Sequence, residues 1–275
     1  MKLIFELVVQ DVNVSAELTK QKQLVKELTK ELAGVDAGAE GFAELADRLA
    51  AARTQVTISG LTIGGSGATF TIMNGYLEGR LTDAEGCEML LASAAETAKV
   101  GARLGVHRLN LHGTGLGDMG IPIPKIGAFA PGMEQRARDT LHRICDMAEA
   151  SGQVFTLENL NPIDHPGCPF GSTSAVLGLV SAVNRPQLRI NLDLYHTQIG
   201  EGDLIRWCQA CLPWIGEVQV ADNPGRCEPG TGEINYHGVA KALKAMGYSG
   251  PVGLESFAQG DAEAALTAFR AAFTV

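Results

Sequence analysis

The feature that most constrains the fold of this chain is a repeated alternation of short apolar runs with longer amphipathic segments. From residue 105 onward we interpret each short run as a nearly continuous apolar segment, as in a parallel strand buried on both faces. The predicted strands are 105–111, 153–157, 188–192, 216–220 and 251–254. The predicted helices are 85–104, 133–150, 174–183, 203–212, 236–246 and 261–273. Strands that alternate with helices predict βαβ units and a parallel sheet.

The first hundred residues carry a weaker form of the same pattern. Residues 3–9 are a clear strand candidate and 16–32 a charged amphipathic helix, whereas the strand candidates 34–40 and 55–59 are less apolar. Counting both gives eight strands, which is the number that closes a (β/α)8 TIM barrel. If 34–40 is not a strand, an open doubly wound sheet is the alternative. We predict an α/β protein, a single TIM-barrel domain over residues 1–275.

Charge and cysteine content narrow the function. A net charge of −9 argues against nucleic-acid binding and against attachment to an anionic membrane, both of which need clustered Lys and Arg. Six scattered cysteines in a chain of 275 residues do not form a disulfide framework, and with no visible targeting segment they predict a cytoplasmic protein. Cys208 and Cys211 form a C-x-x-C pair, but they lie within a predicted helix, where two packed small residues are the simpler interpretation.

Polar side chains stand at the carboxyl ends of four successive predicted strands. The chain places Glu158, Asp193, Gln219 and Glu255 at these positions, about one βα unit apart. Barrel active sites lie at the carboxyl ends of the strands, so the four residues are expected to share one rim. Three carboxylates and an amide brought together repel or take up protons unless a cation binds them. Oxygen ligands suit Mg²⁺, Mn²⁺ or Co²⁺, and the sequence therefore predicts a divalent-metal site formed by these four residues.

Further candidates lie on the loops beside those strand ends. His196 comes three residues after Asp193, and His112 ends the strand 105–111; we predict both as substrate contacts. The polar loop 221–235 carries Arg226 and Glu228. An arginine at the rim offers paired hydrogen bonds to a carboxylate or to sugar hydroxyls, so Arg226 is predicted to bind substrate, with Glu228 as a further candidate.

These residues also carry a family resemblance. The motifs are Glu158-Asn159, Asn191-Leu-Asp-Leu-Tyr-His196, Val218-Gln-Val-Ala221, Pro224-Gly-Arg-Cys-Glu-Pro-Gly230, Gly232-Glu-Ile-Asn-Tyr236 and Gly253-Leu-Glu255. Together they resemble the hydroxypyruvate isomerases of the xylose isomerase-like TIM-barrel superfamily, over about residues 100–275. The resemblance implies that Glu158, Asp193, Gln219 and Glu255 bind the metal ion. It further implies that Glu158 and Glu255 move protons, and that His196 and Arg226 bind substrate.

The function that follows from the resemblance is a metal-dependent aldose–ketose type isomerase. It would act on hydroxypyruvate or a related short 2-oxo acid through an enediolate, with the two glutamates as acid and base. One departure concerns the substrate, because residues 256–260 read Ser-Phe-Ala-Gln-Gly where the family usually has a Pro-Arg-Gly turn. The resemblance also implies a small-molecule substrate and a homo-oligomer.

Three alternatives stay open at this point. A ketose 3-epimerase would use the same metal site and glutamates on a longer neutral sugar. A metal-dependent endonuclease would need more histidine ligands and a basic groove. A catalytically inactive barrel that only binds a sugar or a partner would lack a ligand or a proton-transferring glutamate, whereas all four positions are filled here.

Overall fold

The computed structural model of this protein describes residues 2–4, 27, 30, 72–74, 78–116, 122–123 and 130–275. The chain divides into two compact units, residues 1–6 with 70–275 and residues 7–69. In the second unit the described residues are Glu27 and Lys30, which are helical, in agreement with the predicted helix 16–32. The predicted strands 34–40 and 55–59 lie outside the described residues, and the single domain over 1–275 stays a prediction.

The first unit is built on a parallel sheet. The described strands are β1 (Lys2–Ile4), β2 (Met73–Asn74), β3 (Arg108–Leu111), β4 (Gly115–Leu116), β5 (Pro122–Ile123), β6 (Val154–Glu158), β7 (Leu188–Asp193), β8 (Ile215–Val220) and β9 (Pro251–Leu254). Seven of them pair in parallel in the order β1-β9-β8-β7-β6-β3-β2, and β4 pairs with β5 in an antiparallel ladder. The last strand of the chain thus adjoins the first, which is the neighbour relation of a barrel.

Helices follow the strands in the predicted rhythm. They are α1 (Ala84–Leu104), α2 (Met133–Ser151), α3 (Thr173–Val183), α4 (Leu194–Gly200), α5 (Leu204–Cys211), α6 (Tyr236–Ala245) and α7 (Ala262–Phe273). Their ends are set locally. The Asp83 side chain caps α1 by accepting from Gly86 N at 2.9 Å, and α1 ends at Gly105, whose φ of +68° suits a residue without a Cβ.

The structure corrects some predicted boundaries. Strand β3 begins at Arg108, not at residue 105. Gly105 is the C-cap of α1, and the Val106 N–H donates to Gly101 O at 2.8 Å and so belongs to the helix end. Helix α5 ends at Cys211, and a 3₁₀ turn containing Pro213 leads into β8. Strand β2 and helix α4 were not predicted, because each is too short to produce a periodic pattern.

The core lies between the sheet and the helices. Leu188, Ile190 and Leu192 on one face of β7 are fully buried in one apolar cluster with residues of α3 and α5. Burial of each such side chain contributes about 1.5–3 kcal/mol. Cys208 and Cys211 on α5 belong to the same cluster and are free thiols, which agrees with their interpretation as packing residues. None of the helices in the described ranges has both the length and the apolar character needed to cross a bilayer.

Candidate metal and substrate site

Strand register brings the predicted ligands to one edge of the sheet. Glu158 pairs with Asn191, Asp193 pairs with Gln219, and Gln219 pairs with Gly253. Side chains alternate between faces along a strand, so residues at matched positions of neighbouring strands point to the same side. Glu158, Asp193 and Gln219 are buried there, with at most 3% of each residue exposed. Glu255 follows β9 directly, and its N–H donates to Val220 O at 3.1 Å.

Glu158 is held by three donors that converge on one of its oxygens. Asn110 Nδ2, His112 Nε2 at 3.2 Å and Asn191 Nδ2 at 3.3 Å all donate to Glu158 Oε2. Burial by itself raises the pKa of this carboxyl, but the charge and hydrogen bond of His112, the neighbouring His196 and the Asn110 bond outweigh it and lower the pKa to about 2. Glu158 is therefore ionised, and its Oε1 faces His196 Nε2 at 3.9 Å.

Asp193 is the N-cap of α4. Its Oδ1 accepts from the N–H groups of Tyr195 at 2.8 Å and His196 at 3.1 Å. The Asn159 amide fixes the backbone of Asp193 by accepting from its N at 2.9 Å and donating to its O at 3.0 Å. Burial raises the pKa of Asp193 to about 7, against the lowering effect of Arg226 and with a further rise from Glu158. The bonds to Oδ1 leave Oδ2 directed towards His196 and Arg226, each at 3.7 Å.

Gln219 is joined to this group through Asn191. The Asn191 amide nitrogen donates to Gln219 Oε1 at 2.8 Å as well as to Glu158 Oε2. One buried asparagine therefore fixes the orientation of two of the four predicted ligands.

Arg226 reaches the site from the loop after β8. Asp222 folds that loop by accepting from Ile234 N at 3.0 Å and Gly230 N at 2.8 Å. Gly232 lies so close to the loop backbone that a Cβ there would be 2.3 Å from Asn223 O, so this turn requires glycine. Arg226 itself has a left-handed backbone with φ of +53°.

The Arg226 guanidinium lies close to two carboxyl groups. Its Nη2 donates to Glu255 Oε2 at 2.7 Å and lies 3.7 Å from Asp193 Oδ2. The group also stacks over the Tyr195 ring, 5.0 Å from the centroid, and lines a cavity of about 280 Å³ with Glu255, Ser256 and Phe257. A cationic group at the mouth of the site can attract an anionic substrate.

His196 is buried between Glu158 and Asp193. One ligand atom from each of the three residues lies within 4.8 Å of the other two, so together they could hold a metal ion. Burial is the main cause that lowers the pKa of His196 to about 3, so the ring is neutral. Its Nε2 has no hydrogen-bond partner within the described part of the chain. This nitrogen is therefore available to contact a water molecule, an ion or a substrate group.

The structure brings together Glu158, Asp193, Gln219, Glu255, His196, Arg226 and His112. Glu228 instead accepts from Gln259 N at 2.9 Å, a bond that joins the loops after β8 and β9, and its role in substrate binding stays a prediction. The ligand and catalytic roles of the other residues are likewise proposals.

The supporting asparagines were missed from the sequence. Asn110 and Asn191 stand two residues before His112 and Asp193, so they share the inward face of their strands. An amide inside a buried parallel strand is the signal that could have identified them, because it needs polar partners there.

The chain is similar to known proteins at two levels. The family description "Xylose isomerase-like TIM barrel" matches residues 23–272. Hydroxypyruvate isomerase of Escherichia coli (strain K12) is 37% identical over 128 residues, which are 46% of this chain and 50% of that protein. The 2-oxo-tetronate isomerase of Pectobacterium atrosepticum is 32% identical over 142 residues, 50% of this chain and 54% of that protein. The chain thus spans about half the length of these curated relatives.

The likeness to solved structures extends over the whole chain. D-psicose 3-epimerase from Clostridium cellulolyticum H10, in complex with D-tagatose, superimposes with a TM-score of 0.67 over 100% of both chains at 18% identity. This likeness supports the barrel architecture.

Proposed function

The chain belongs to the xylose isomerase-like TIM barrel family, and from that premise we propose that it is a metal-dependent isomerase of short 2-oxo acids, with hydroxypyruvate as its substrate. The observation that carries the proposal is that Arg226 lies beside the carboxyl groups of Asp193 and Glu255. A group that can bind an anion is thus next to groups that can bind a cation. The relatives named as isomerases of hydroxypyruvate and of 2-oxo-tetronate support the same substrate class, since both names describe 2-oxo acids.

The residues present fit a divalent metal ion. Glu158 and Asp193 offer carboxylate oxygens beside His196 Nε2, which has no hydrogen-bond partner among the residues that the structure describes, and Gln219 adds an amide oxygen. Hard oxygen donors of this kind suit Mg²⁺, Mn²⁺ or Co²⁺. We propose that Glu158, Asp193, Gln219 and Glu255 hold the ion. When bound, it would supply a Lewis acid that stabilises the negative charge of an enediolate.

The two glutamates account for the proton movements. One carboxylate removes a proton from C3 of hydroxypyruvate, and the C–H electron pair forms the C2–C3 double bond while the C2 carbonyl oxygen takes up the charge. The other glutamate, in its protonated form, delivers a proton to C2, and the C3 hydroxyl proton is transferred to the C2 oxygen, which gives the C3 aldehyde and the C2 hydroxyl of tartronate semialdehyde. Burial of Glu158 shields this carboxylate from bulk water.

Arg226 and His196 orient the substrate in this proposal. The guanidinium binds the substrate carboxylate, and the His196 Nε2 atom faces the oxygens of C2 and C3. His112 keeps Glu158 ionised through its hydrogen bond.

The decisive experiment is a substrate and metal panel. The protein is treated with a chelator, restored separately with Mg²⁺, Mn²⁺ or Co²⁺, and assayed with hydroxypyruvate, 2-oxotetronate, fructose, tagatose and ribulose. We expect metal-restored turnover of the 2-oxo acids. Turnover of the ketoses alone would assign the chain to the 3-epimerases, and binding of metal and sugar without turnover would assign it to inactive barrels.

Substitution of Arg226 tests whether the substrate is a carboxylic acid or a neutral sugar. The change Arg226→Ala is expected to raise KM for hydroxypyruvate about ten- to a hundredfold, since a hydrogen bond to a charged group contributes about 1.5–3 kcal/mol. Steady-state kinetics on the metal-restored enzyme measure this, with the exposed Arg206→Ala as the matched control. An unchanged KM for every 2-oxo acid in the panel removes Arg226 from substrate binding.

A further inference from the structure

Asn161 lies behind His196 and uses every polar atom of its side chain. It is buried, with 2% of the residue exposed, and it follows Glu158 by three residues. Its Oδ1 accepts from Ile163 N at 3.0 Å and from Asp164 N at 2.8 Å. Its Nδ2 lies 2.9 Å from Asp164 Oδ2 and 2.6 Å from His196 Nδ1.

The orientation of this amide is determined by its partners. If the amide were rotated by 180°, its NH₂ group would face two backbone N–H donors and its oxygen would face the carboxylate of Asp164. Both contacts would then be repulsive, donor against donor and acceptor against acceptor. The amide oxygen therefore points at the backbone and the NH₂ group at Asp164 and His196.

The tautomer of His196 follows from that orientation. An amide NH₂ group has only donor hydrogens, so His196 Nδ1 must accept and carries no proton. A neutral imidazole has one N–H, which places the proton on Nε2.

We propose that Asn161 is a positioning residue that fixes His196 as the Nε2–H tautomer, so that His196 serves the site as a hydrogen-bond donor and not as a metal ligand. The Nε2–H group points into the space beside Glu158 Oε1 and Asp193 Oδ2, at 3.9 and 3.7 Å. A metal ion needs the lone pair of an unprotonated nitrogen, and this tautomer has none on Nε2. Of the three neighbouring residues Glu158, Asp193 and His196, only the two carboxylates can then bind a metal ion. His196 instead contacts a substrate oxygen.

The substrate contact rests on the proposed function, whereas the tautomer does not. The test therefore begins with nuclear magnetic resonance of the intact, substrate-free protein labelled with ¹⁵N-histidine. Long-range ¹H–¹⁵N correlations report which ring nitrogen of each histidine carries the proton, and the His196 signals are assigned by their loss in His196→Gln. We expect a protonated Nε2 and an unprotonated Nδ1, unchanged when Mg²⁺ is added to saturation.

The variant Asn161→Asp tests whether Asn161 sets the tautomer. Its carboxylate can still accept from the two backbone N–H groups, and its second oxygen presents an acceptor to His196 Nδ1, which should then take the proton. The same oxygen lies against Asp164 Oδ2, so thermal unfolding checks that the variant is folded. We expect the Nδ1–H pattern and a loss in kcat/KM for hydroxypyruvate on the order of 10- to 100-fold, as for other partners that orient a site histidine. The matched control is Asn184→Asp, an exposed asparagine at the end of α3.

Each outcome decides the inference. An Nδ1–H tautomer in the wild-type protein, or loss of the Nε2 proton when Mg²⁺ binds, overturns it whether or not Asn161→Asp folds. An Nε2–H tautomer that persists in folded Asn161→Asp overturns the role of Asn161. The expected tautomers in a protein that turns over no 2-oxo acid would sustain the role of Asn161 and refute the proposed function.

Discussion

The substitutions Glu158→Gln and Glu255→Gln are each expected to lower kcat for hydroxypyruvate about 10²- to 10⁴-fold, the range over which general acid–base catalysis contributes to rate. Glutamine keeps the size of the side chain but cannot exchange a proton at neutral pH. In Glu158→Gln the amide oxygen can take the place of Oε2, where the donors of Asn110, His112 and Asn191 converge. The fold is therefore expected to survive, and the loss is chemical.

Kinetics with the metal-restored enzyme measure the loss, and thermal unfolding checks the fold. The matched control is Glu263→Gln, an exposed residue in the first turn of α7. Exchange of the C3 proton into deuterated solvent identifies which glutamate removes it, because the variant that keeps this base still exchanges without forming product. The assignment of both glutamates fails if either variant retains more than about a tenth of wild-type kcat with saturating metal.

The fold was predictable where strands are long and apolar. Strands β7 and β8 carry Leu188, Ile190 and Val218 on the face that packs against helices, and such runs dominate any periodic pattern. Strand β2 has two residues, Met73 and Asn74, and leaves no such signal. The family match over residues 23–272 supplies the barrel assignment that the weak N-terminal pattern could only suggest.

The positions of the four proposed metal ligands could be predicted because each one stands at or next to the carboxyl end of a strand. The contacts of the site residues could not be predicted from the sequence, because they depend on partners far along the chain. Arg226 meets Glu255 only because Asp222 closes the intervening loop onto Ile234, and because Arg226 adopts a positive φ. The amide of Asn161 is fixed by two backbone N–H groups of its own loop, whose geometry no spacing rule contains. Sequence position thus predicts which polar residues stand at the strand ends, and loop geometry decides which groups they contact.

The affinity for the divalent cation is expected to rise about tenfold per pH unit up to about pH 7 and to level off above it. Burial raises the pKa of Asp193 to about 7, so at lower pH a proton must leave this carboxylate before the ion can bind. The stability of the metal-free fold changes with pH in the opposite direction. Between the ordinary pKa of Asp and about 7 its folded state holds a proton that the unfolded chain has lost, so this residue makes the metal-free fold less stable as pH rises.

Replacement of Asp193 should lower the affinity for the divalent cation and abolish the pH dependence of that affinity. We expect Asp193→Asn to weaken cation binding by at least about 100-fold, since even the outer partners of metal ligands contribute 10- to 100-fold. Titration calorimetry with Mg²⁺ and Mn²⁺ from about pH 5.5 to 8 measures both effects, and buffers of different ionisation enthalpy count the released protons. The exposed Asp203→Asn is the control, because Asp203 has a left-handed backbone that asparagine also adopts. A pH-independent affinity in the wild-type protein, or equal weakening in the control, would exclude Asp193 as the titrating ligand.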